Sequence, residues 1–330
     1  MLTFDAKATR DALPFPLLID SLRTMFLSPC EVPRRHVHEI ASTSGTGVTS
    51  LIMPAWNDRY YGVKIVNIAP GNAAIGLPGL HSSYLLHDAA TGVPLALVDG
   101  DEITARRTAA ASALAATWLA RDDARHLLVV GAGKVARLLP EAYRAVRAID
   151  RVTVWARSGE QAEALAVKLR GEGVDARAAN ELATAVAQAD IVSCATLATA
   201  PVIQGRWLRP GSHLDLIGSF TPAMRESDDD CYAGASLFVD TEEALQKSGD
   251  LLGPMSRGVF AAEDVCATLA ALARGASAGR RSAGERTVFK AVGTALETWR
   301  PQGWSTNHWP GPNAHNANPG CHFVSGWAGT

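Results

Sequence analysis

A glycine-rich hexapeptide near the middle of the chain constrains its fold more than any other feature. It follows the apolar run Leu127–Val130, precedes a segment of helical periodicity over Lys134–Arg147, and reads Gly131-Ala132-Gly133-Lys134-Val135-Ala136. This is the G-x-G-x-x-A pattern at a strand-to-helix turn. Gly131 permits the tight turn, Gly133 lets the backbone approach a pyrophosphate, and the small Ala136 lets the helix pack on the strand. A free helix N-terminus would attract the phosphates. The pattern therefore predicts a dinucleotide site, and a ligand-free tight turn is the alternative.

Short apolar runs alternate with helical stretches around this loop. Strands are predicted at Arg151–Ala156, Asp190–Ala195, His213–Ile217 and Ser236–Val239, and a helix at Glu160–Arg170. Alternation at this spacing is typical of βαβ units on a parallel sheet. We therefore predict an α/β fold with a Rossmann-type, doubly wound parallel sheet domain over residues 116–279.

Residues 1–115 are organised differently and predict an α+β domain. Strand-like runs at Gly47–Met53, Tyr60–Ile68, Ser82–His87 and Pro94–Val98 are separated by turn residues, which indicates an antiparallel or mixed sheet with an N-terminal helix. The alanine-rich segment Arg107–Arg121 is a strong helix former that would connect the two domains.

The end of the chain is expected to leave the cofactor domain. A last helix is predicted over Gly284–Trp299, and it would complete the first domain with residues 280–300. Residues 300–330 contain no Asp, Glu or Lys and are predicted to be an irregular tail, because Pro301 cannot continue a helix.

Composition excludes several classes of function. The 31 basic and 33 acidic residues leave no positive excess to neutralise phosphates, so we expect no nucleic-acid partner. The five cysteines form no close pair, which argues against a C-x-x-C metal site or a disulfide framework, and no metal is expected. No stretch approaches the roughly 20 apolar residues that span a bilayer, and the N-terminus is unlike a signal peptide. We expect a cytoplasmic protein with no membrane contact.

The residues after the second strand of the Rossmann unit bear on the choice of cofactor. An NAD-binding domain has an acidic residue here for the ribose 2′-hydroxyl, whereas this chain reads Ala156-Arg157-Ser158. A guanidinium and a hydroxyl can bind a 2′-phosphate that a carboxylate would repel. The segment favours NADPH, NADH remains possible, and a solvated loop charge is the alternative interpretation of Arg157.

Several further motifs resemble the ornithine cyclodeaminase/mu-crystallin family over about residues 25–298. Besides the glycine loop, they are Gly62–Asn67, Gly76–Leu80, Asp99–Ser112 (DGDEITARRTAAAS), Cys194–Thr196, Pro210–His213, Ser248–Asp250 and Phe289–Ala295. The resemblance implies a homodimer formed through the first domain and active sites in the cleft between domains. It also implies a small amino- or imino-acid substrate and a nicotinamide cofactor.

The same resemblance implies a set of site residues. Arg35, Lys64 and Arg107 would bind a substrate carboxylate, with Arg34 as a competitor for the first role, and each could instead be a surface charge. Lys64 and Arg107 are the candidate catalytic residues: Arg107 would lie at a helix start that attracts anions, and Lys64 would relay a proton or only bind the carboxylate. Met53, with Trp56 and Phe220, is a candidate pocket residue. The cofactor contacts implied are His81, Thr108, Thr196 and Ile217.

One departure from the family pattern decides the expected reaction. The cyclodeaminases of the family have a general-base Asp where this chain has Phe220, in the stretch G-S-F-T-P-x-M-R-E, and phenylalanine cannot take a proton. The stretch resembles the ketimine reductases and some alanine dehydrogenases of the family instead. We therefore expect reduction of Δ1-pyrroline-2-carboxylate or Δ1-piperideine-2-carboxylate to L-proline or L-pipecolate.

Three alternatives stay open. They are a cyclodeaminase whose base is Asp215 or Glu226, an amino-acid dehydrogenase of the alanine dehydrogenase type, and a non-enzymatic binding protein of the mu-crystallin type.

Overall fold

The computed structural model of the chain describes residues 1–42, 45, 47–295 and 297, and two β-sheets organise them. The tail predicted for 300–330 and the helix break at Pro301 lie outside these residues. No helix in the described ranges is both long enough and apolar enough to cross a bilayer.

The first sheet has six strands in the order β1-β6-β5-β4-β3-β2. Its strands are β1 (Leu2–Phe4), β2 (His36–Ile40), β3 (Val48–Trp56), β4 (Tyr60–Ile68), β5 (Leu80–Asp88) and β6 (Pro94–Asp99). The pairing of β1 with β6 is parallel and the other pairings are antiparallel, so the predicted mixed sheet is confirmed. Residues alternate between buried and part-exposed along β4, as expected for a strand with one face on a core.

Helices α1 (Ala6–Asp11) and α2 (Phe15–Leu27) precede this sheet. The buried residues of α2 recur at helical spacing and include Phe15, Leu18, Ile19, Leu22 and Phe26. This periodicity gives α2 one apolar face, which packs against the long helix over Gly100–Leu119, α3.

Helix α3 (Gly100–Leu119) lies between the two sheets and belongs to a core that both share. It starts at Gly100 because the Asp99 side chain accepts a hydrogen bond from the Glu102 backbone N–H at 2.7 Å and caps the first turn. The predicted start at Arg107 is therefore wrong. Arg107 lies two turns inside the helix, where the N-terminal charge has no effect on an anion.

The second sheet has eight parallel strands in the order β13-β12-β14-β11-β10-β7-β8-β9. The strands are β7 (His126–Val130), β8 (Arg151–Trp155), β9 (Asp175–Ala178), β10 (Ile191–Cys194), β11 (His213–Leu216), β12 (Ala235–Val239), β13 (Val265–Thr268) and β14 (Arg286–Lys290). Its helices are α4 (Leu139–Arg144), α5 (Gly159–Gly171), α6 (Leu182–Gln188), α7 (Ala244–Lys247), α8 (Gly249–Ser256) and α9 (Leu269–Ala273). The order reverses between β7 and β10, which is the switch point where Rossmann-type sheets bind dinucleotides. The predicted fold class is confirmed.

Two further predicted helices differ from the structure. Regular helix after the glycine loop begins at Leu139, not Lys134, because Pro140 has no N–H to continue the i→i−4 ladder from the preceding turns. The predicted helix over Gly284–Trp299 is wrong for Arg286–Lys290, which forms a buried strand between β11 and β12. This segment therefore belongs to the parallel sheet rather than to the first domain. The domain boundaries at residues 115 and 279 stay predictions.

Candidate functional site

A cavity of about 370 Å³ receives side chains from both sheets and from α3. The glycine loop after β7 and the segments after β10 and β11 border it. Eleven of the predicted site residues line it: Arg35, Met53, Lys64, Arg107, Thr108, Gly133, Lys134, Val135, Thr196, Ile217 and Phe220. The carboxyl ends of the parallel strands and the face of the mixed sheet therefore meet at one site.

Lys64 lies on β4, opposite Met53 of β3, with 2% of its surface exposed. Burial lowers the pKa of Lys64 well below its usual value, the Arg107 charge lowers it further, and Glu297 partly opposes both. In the described part of the chain, Lys64 Nζ has neither a hydrogen bond nor an ion pair. Lys64 lines the cavity, and an amine of perturbed pKa in such a position is typical of a residue kept for binding or catalysis.

Arg107 projects from α3 and is held by a residue that the sequence did not indicate. Its Nη1 lies 2.5 Å from Oε2 of Glu297, and both side chains are almost fully buried. Arg107 Nε has no hydrogen-bond partner among the described residues. Gly293 passes close by with φ of +80°, and a Cβ there would lie 2.6 Å from Arg107 Nη1. The ion pair with Glu297 therefore fixes the guanidinium at Nη1, while its Nε–H remains without an acceptor among the described residues.

Arg35 reaches the same cavity from the segment before β2. Its Nη2 donates to the Gly293 carbonyl at 3.0 Å and lies 3.2 Å from Glu243 Oε2. Arg34 is exposed and does not line the cavity, so Arg35 is the arginine of this pair that faces it.

The glycine loop has the geometry that a pyrophosphate needs. Gly131 has φ of +122°, and a Cβ there would lie 2.6 Å from the Ala195 carbonyl, so only glycine fits. At Gly133 no heavy atom lies within 4 Å of the Cβ position, which leaves open space beside the backbone. Ala136 is fully buried beneath the loop. These residues fit the diphosphate of a nicotinamide dinucleotide. The chain ahead of Leu139 supplies turns rather than the start of a regular helix.

The predicted cofactor contacts outside the cavity differ from one another in exposure and in the contacts that they make. Ala132 flanks Gly131 in the loop, and Ala156 follows β8 and packs on the core. Arg157 is exposed, and no described residue binds its guanidinium. Ser158 caps α5, where its side chain accepts from the Gln161 N–H. His81 is exposed in β5 and does not line the cavity.

Glu226 organises the segments that follow β10 and β11. Its Oε1 accepts the Thr196 N–H and hydroxyl at 2.7 and 2.8 Å, and its Oε2 accepts the Gly218 N–H at 2.6 Å. Burial raises the pKa of Glu226 to about 7, and the charge of Lys290 opposes this rise. The carboxyl is 0% exposed and faces the backbone, so it is not available as a base for substrate.

Asp215, the other alternative base, is also enclosed. It accepts hydroxyl hydrogen bonds from Ser112 at 3.0 Å, Tyr143 at 2.9 Å and Ser193 at 2.5 Å, and it is 0% exposed. Burial raises the pKa of Asp215 to about 6. These contacts connect α3, α4 and two strands, which is a structural role.

Phe220 lines the cavity and leaves 39% of its surface exposed. Met53, Leu51, Val66 and Ile68 supply an apolar wall around the basic residues. Trp56 does not line the cavity; it makes an edge contact with Tyr61. The site therefore combines charged groups suited to a small carboxylate with apolar surface suited to a hydrocarbon ring.

Sequence reasoning missed Glu297, Gly293 and the positioning role of Glu226. The signal for Glu297 was its place two residues after the motif Phe289–Ala295, which already carried the family resemblance. Glu226 could not be assigned because its three donors come from two separate segments.

The family model for the ornithine cyclodeaminase/mu-crystallin family matches residues 27–300. A Δ1-pyrroline-2-carboxylate reductase from Paracoccus denitrificans is 45% identical, with 80% of this chain and 84% of that protein covered. The solved Δ1-pyrroline-2-carboxylate reductase of Thermococcus litoralis, in complex with NADH and L-proline, is 33% identical with a TM-score of 0.84, covering 90% of this chain and 94% of that one. An archaeal alanine dehydrogenase dimer with bound NAD is 27% identical with a TM-score of 0.83, covering 90% and 92%.

Proposed function

The chain belongs to the ornithine cyclodeaminase/mu-crystallin family, and on that premise we propose that it reduces a cyclic ketimine carboxylate with a nicotinamide cofactor. The substrates proposed are Δ1-pyrroline-2-carboxylate and Δ1-piperideine-2-carboxylate, and the products are L-proline and L-pipecolate. The enzyme is an oxidoreductase that acts on a C=N bond. The observation that carries the proposal is that Arg35, Lys64 and Arg107 converge on a cavity bordered by Gly133.

Substrate binding is assigned to the three basic residues. Arg107 and Lys64 bind the carboxylate from the buried side of the cavity, and Arg35 adds positive charge at its rim. The ring packs against Met53 and Phe220. This arrangement orients the C=N carbon and excludes water from it. For a reactive imine, such orientation and exclusion of water would supply most of the rate acceleration.

A reduced nicotinamide, when bound, would supply the hydride that adds to the C=N carbon, and the ring nitrogen would keep the electron pair of the π bond. The residues that would hold the cofactor are the glycine loop, Thr108, Thr196 and Ile217 on the cavity side. His81, Ala156, Arg157 and Ser158 stay predicted contacts. Burial and the Arg107 charge lower the pKa of Lys64, and the carboxylate of a bound substrate would raise it again, so Nζ would hold a proton in the complex.

For the cofactor, we propose NADPH as the preferred form, with NADH also accepted. Support comes from Arg157, which is exposed and has no partner in the described ranges, and from the lack of an acidic residue between Ala156 and Ser158. The similar reductase of Thermococcus litoralis was solved in complex with NADH, which supports NADH as the second cofactor. We further propose a cytoplasmic homodimer formed through the first domain, as the family resemblance implies.

The alternatives are separated by simple assays. A cyclodeaminase would release ammonia from L-ornithine, but Phe220 stands at the base position and Asp215 and Glu226 are enclosed. An alanine dehydrogenase would reduce NAD with L-alanine. A binding protein of the mu-crystallin type would bind ligand without turnover. Consumption of NADPH or NADH with either cyclic ketimine supports the reductase, and its absence with both would refute it.

A further inference from the structure

Glu297 is the one acidic side chain among the described residues that line the cavity. Arg107 binds only one of its two carboxylate oxygens. We propose that Glu297 binds the N–H of the protonated ring nitrogen, in the cyclic iminium substrate and in the secondary amine product. Glu297 would thereby select α-imino and α-amino acids over nitrogen-free carboxylic acids. The inference rests on the proposed function for its choice of ligand.

Two unsatisfied polar atoms carry the argument. Glu297 is 2% exposed, its Oε2 is engaged by Arg107 Nη1 at 2.5 Å, and its Oε1 has no partner in the part of the chain described. Arg107 Nε is likewise buried without a partner. Buried donors and acceptors are nearly always hydrogen-bonded in native proteins, so an unmatched donor and an unmatched acceptor on one ion pair indicate a ligand.

The chemistry of an α-imino acid matches this pair. Its carboxylate accepts hydrogen bonds, and its protonated nitrogen, two bonds from the carboxylate carbon, donates one. Arg107 Nε–H can serve the carboxylate while Glu297 Oε1 accepts the N–H. Both partners are charged, and such hydrogen bonds are the stronger kind.

The charge of the site points the same way. Arg35, Lys64 and Arg107 would bind any small carboxylate, including one without nitrogen, and they would repel an iminium group. A buried carboxylate removes that repulsion only where it faces the nitrogen. Glu243 cannot do so, because it pairs with Arg35 and Lys247 near the surface.

The neighbouring buried acid, Asp240, has another task. Its carboxylate accepts the backbone N–H groups of Thr241, Val292 and Gly293, and burial raises the pKa of Asp240 to about 7, with the Glu297 charge as the second cause. Asp240 thus holds the turn beside Arg107, and Glu297 is left as the acceptor for ligand.

The test compares two ligands that differ in the nitrogen atom. L-proline and cyclopentanecarboxylate are titrated into the NADPH-saturated full-length protein, in which proline cannot be oxidised, and binding is followed by calorimetry. The wild type should bind L-proline about 10-fold or more tightly than cyclopentanecarboxylate. Glu297→Gln should weaken L-proline binding by about 10- to 100-fold and change cyclopentanecarboxylate binding by less than about 3-fold.

Glu243→Gln is the matched control, because it removes a carboxylate from the other arginine of the site. It should change the affinity for both ligands by the same factor. If Glu297→Gln also weakens both ligands equally, Glu297 only holds Arg107 and the inference is overturned; equal wild-type affinities for the two ligands overturn it as well. If Glu297→Gln does not fold, Glu297→Asp replaces it and should keep a preference for L-proline. A folded Glu297→Asp variant without that preference would contradict the inference.

This experiment is independent of turnover. A wild type that reduces neither ketimine but prefers L-proline would refute the proposed function and keep the inference. A wild type that reduces ketimines but binds both ligands alike would do the opposite.

Discussion

Glu226 accepts the Gly218 backbone N–H at 2.6 Å, and this bond connects the end of β11 to the carboxyl that also holds Thr196 after β10. A Cβ at Gly218 would lie 1.9 Å from the Thr196 carbonyl, so the two segments touch and only glycine fits between them. One buried side chain therefore positions two segments that line the cavity. It does so without reaching substrate.

Glu226 should make stability depend on pH. Burial raises its pKa to about 7 from 4.5, so the folded protein holds a proton that the unfolded chain releases earlier. The resulting stabilisation, on the order of 3 kcal/mol, is present below pH 4.5 and is lost as the pH rises through 7. Glutamine imitates the protonated acid, so the melting temperature of Glu226→Gln should fall less than that of the wild type between pH 5 and 8.

Asp215 and Asp240, with pKa values raised by burial to about 6 and about 7, contribute in the same direction and remain in this variant. The measurement is therefore the difference in melting temperature between the wild type and Glu226→Gln, followed as a function of pH. Parallel curves would show that Glu226 is not the group responsible.

Gly293→Ala should damage the site through Arg107. The new Cβ would lie 2.6 Å from the guanidinium and displace it from Glu297. A shift of about 1 Å in a binding group can cost ~100-fold in rate, and we expect kcat/KM for the ketimine to fall by about that factor.

The matched control is Gly234→Ala, which lies just before β12 and has φ of +66° with no heavy atom within 4 Å of its Cβ position. Both variants should lose about 1–2 kcal/mol of stability from the left-handed backbone. Only Gly293→Ala should lose activity. Equal kcat/KM values for the two variants would mean that Arg107 is not needed where it lies.

Much of the fold could be predicted from the sequence because its signals are local. β4 was predicted with the bounds it has, Tyr60–Ile68, since turns and alternation delimit it. β14 could not be recognised from periodicity, because Val288 and Phe289 are buried in a parallel sheet, where an apolar run has no strand period. The start of α3 was missed although Asp99 and Glu102 carry a capping signal.

The candidate site was predictable only as far as the family motifs reach. Lys64 and Arg107 lie in those motifs, and Arg35 came from the same family resemblance. The partners of these residues come from distant segments that no spacing connects. Glu297 lies 190 residues from Arg107 in the chain, and their ion pair is a property of the fold.

Lys64→Met should separate stability from activity. Methionine is unbranched and apolar, so it suits a site where the side chain is only 2% exposed and burial disfavours the charged amine. We expect a higher melting temperature together with a loss of about 100-fold in kcat/KM for the ketimine. A variant that is both less stable and fully active would contradict the role assigned to Lys64.

Arg157→Ala tests the cofactor preference. Removing the guanidinium after β8 should raise KM for NADPH by about 10-fold and leave KM for NADH within about 2-fold, since only NADPH has the 2′-phosphate. Arg151→Ala, at the opposite end of the same strand, should change neither value. If the wild type prefers NADH, the proposed preference is wrong whatever the variant does.

The most direct measurement is oxidation of NADPH and NADH by the purified chain with each cyclic ketimine, with the product identified by chiral chromatography. We predict that one reduced cofactor is consumed for each L-proline or L-pipecolate formed, and that L-ornithine releases no ammonia. Oxidation of neither cofactor with either ketimine would contradict the account.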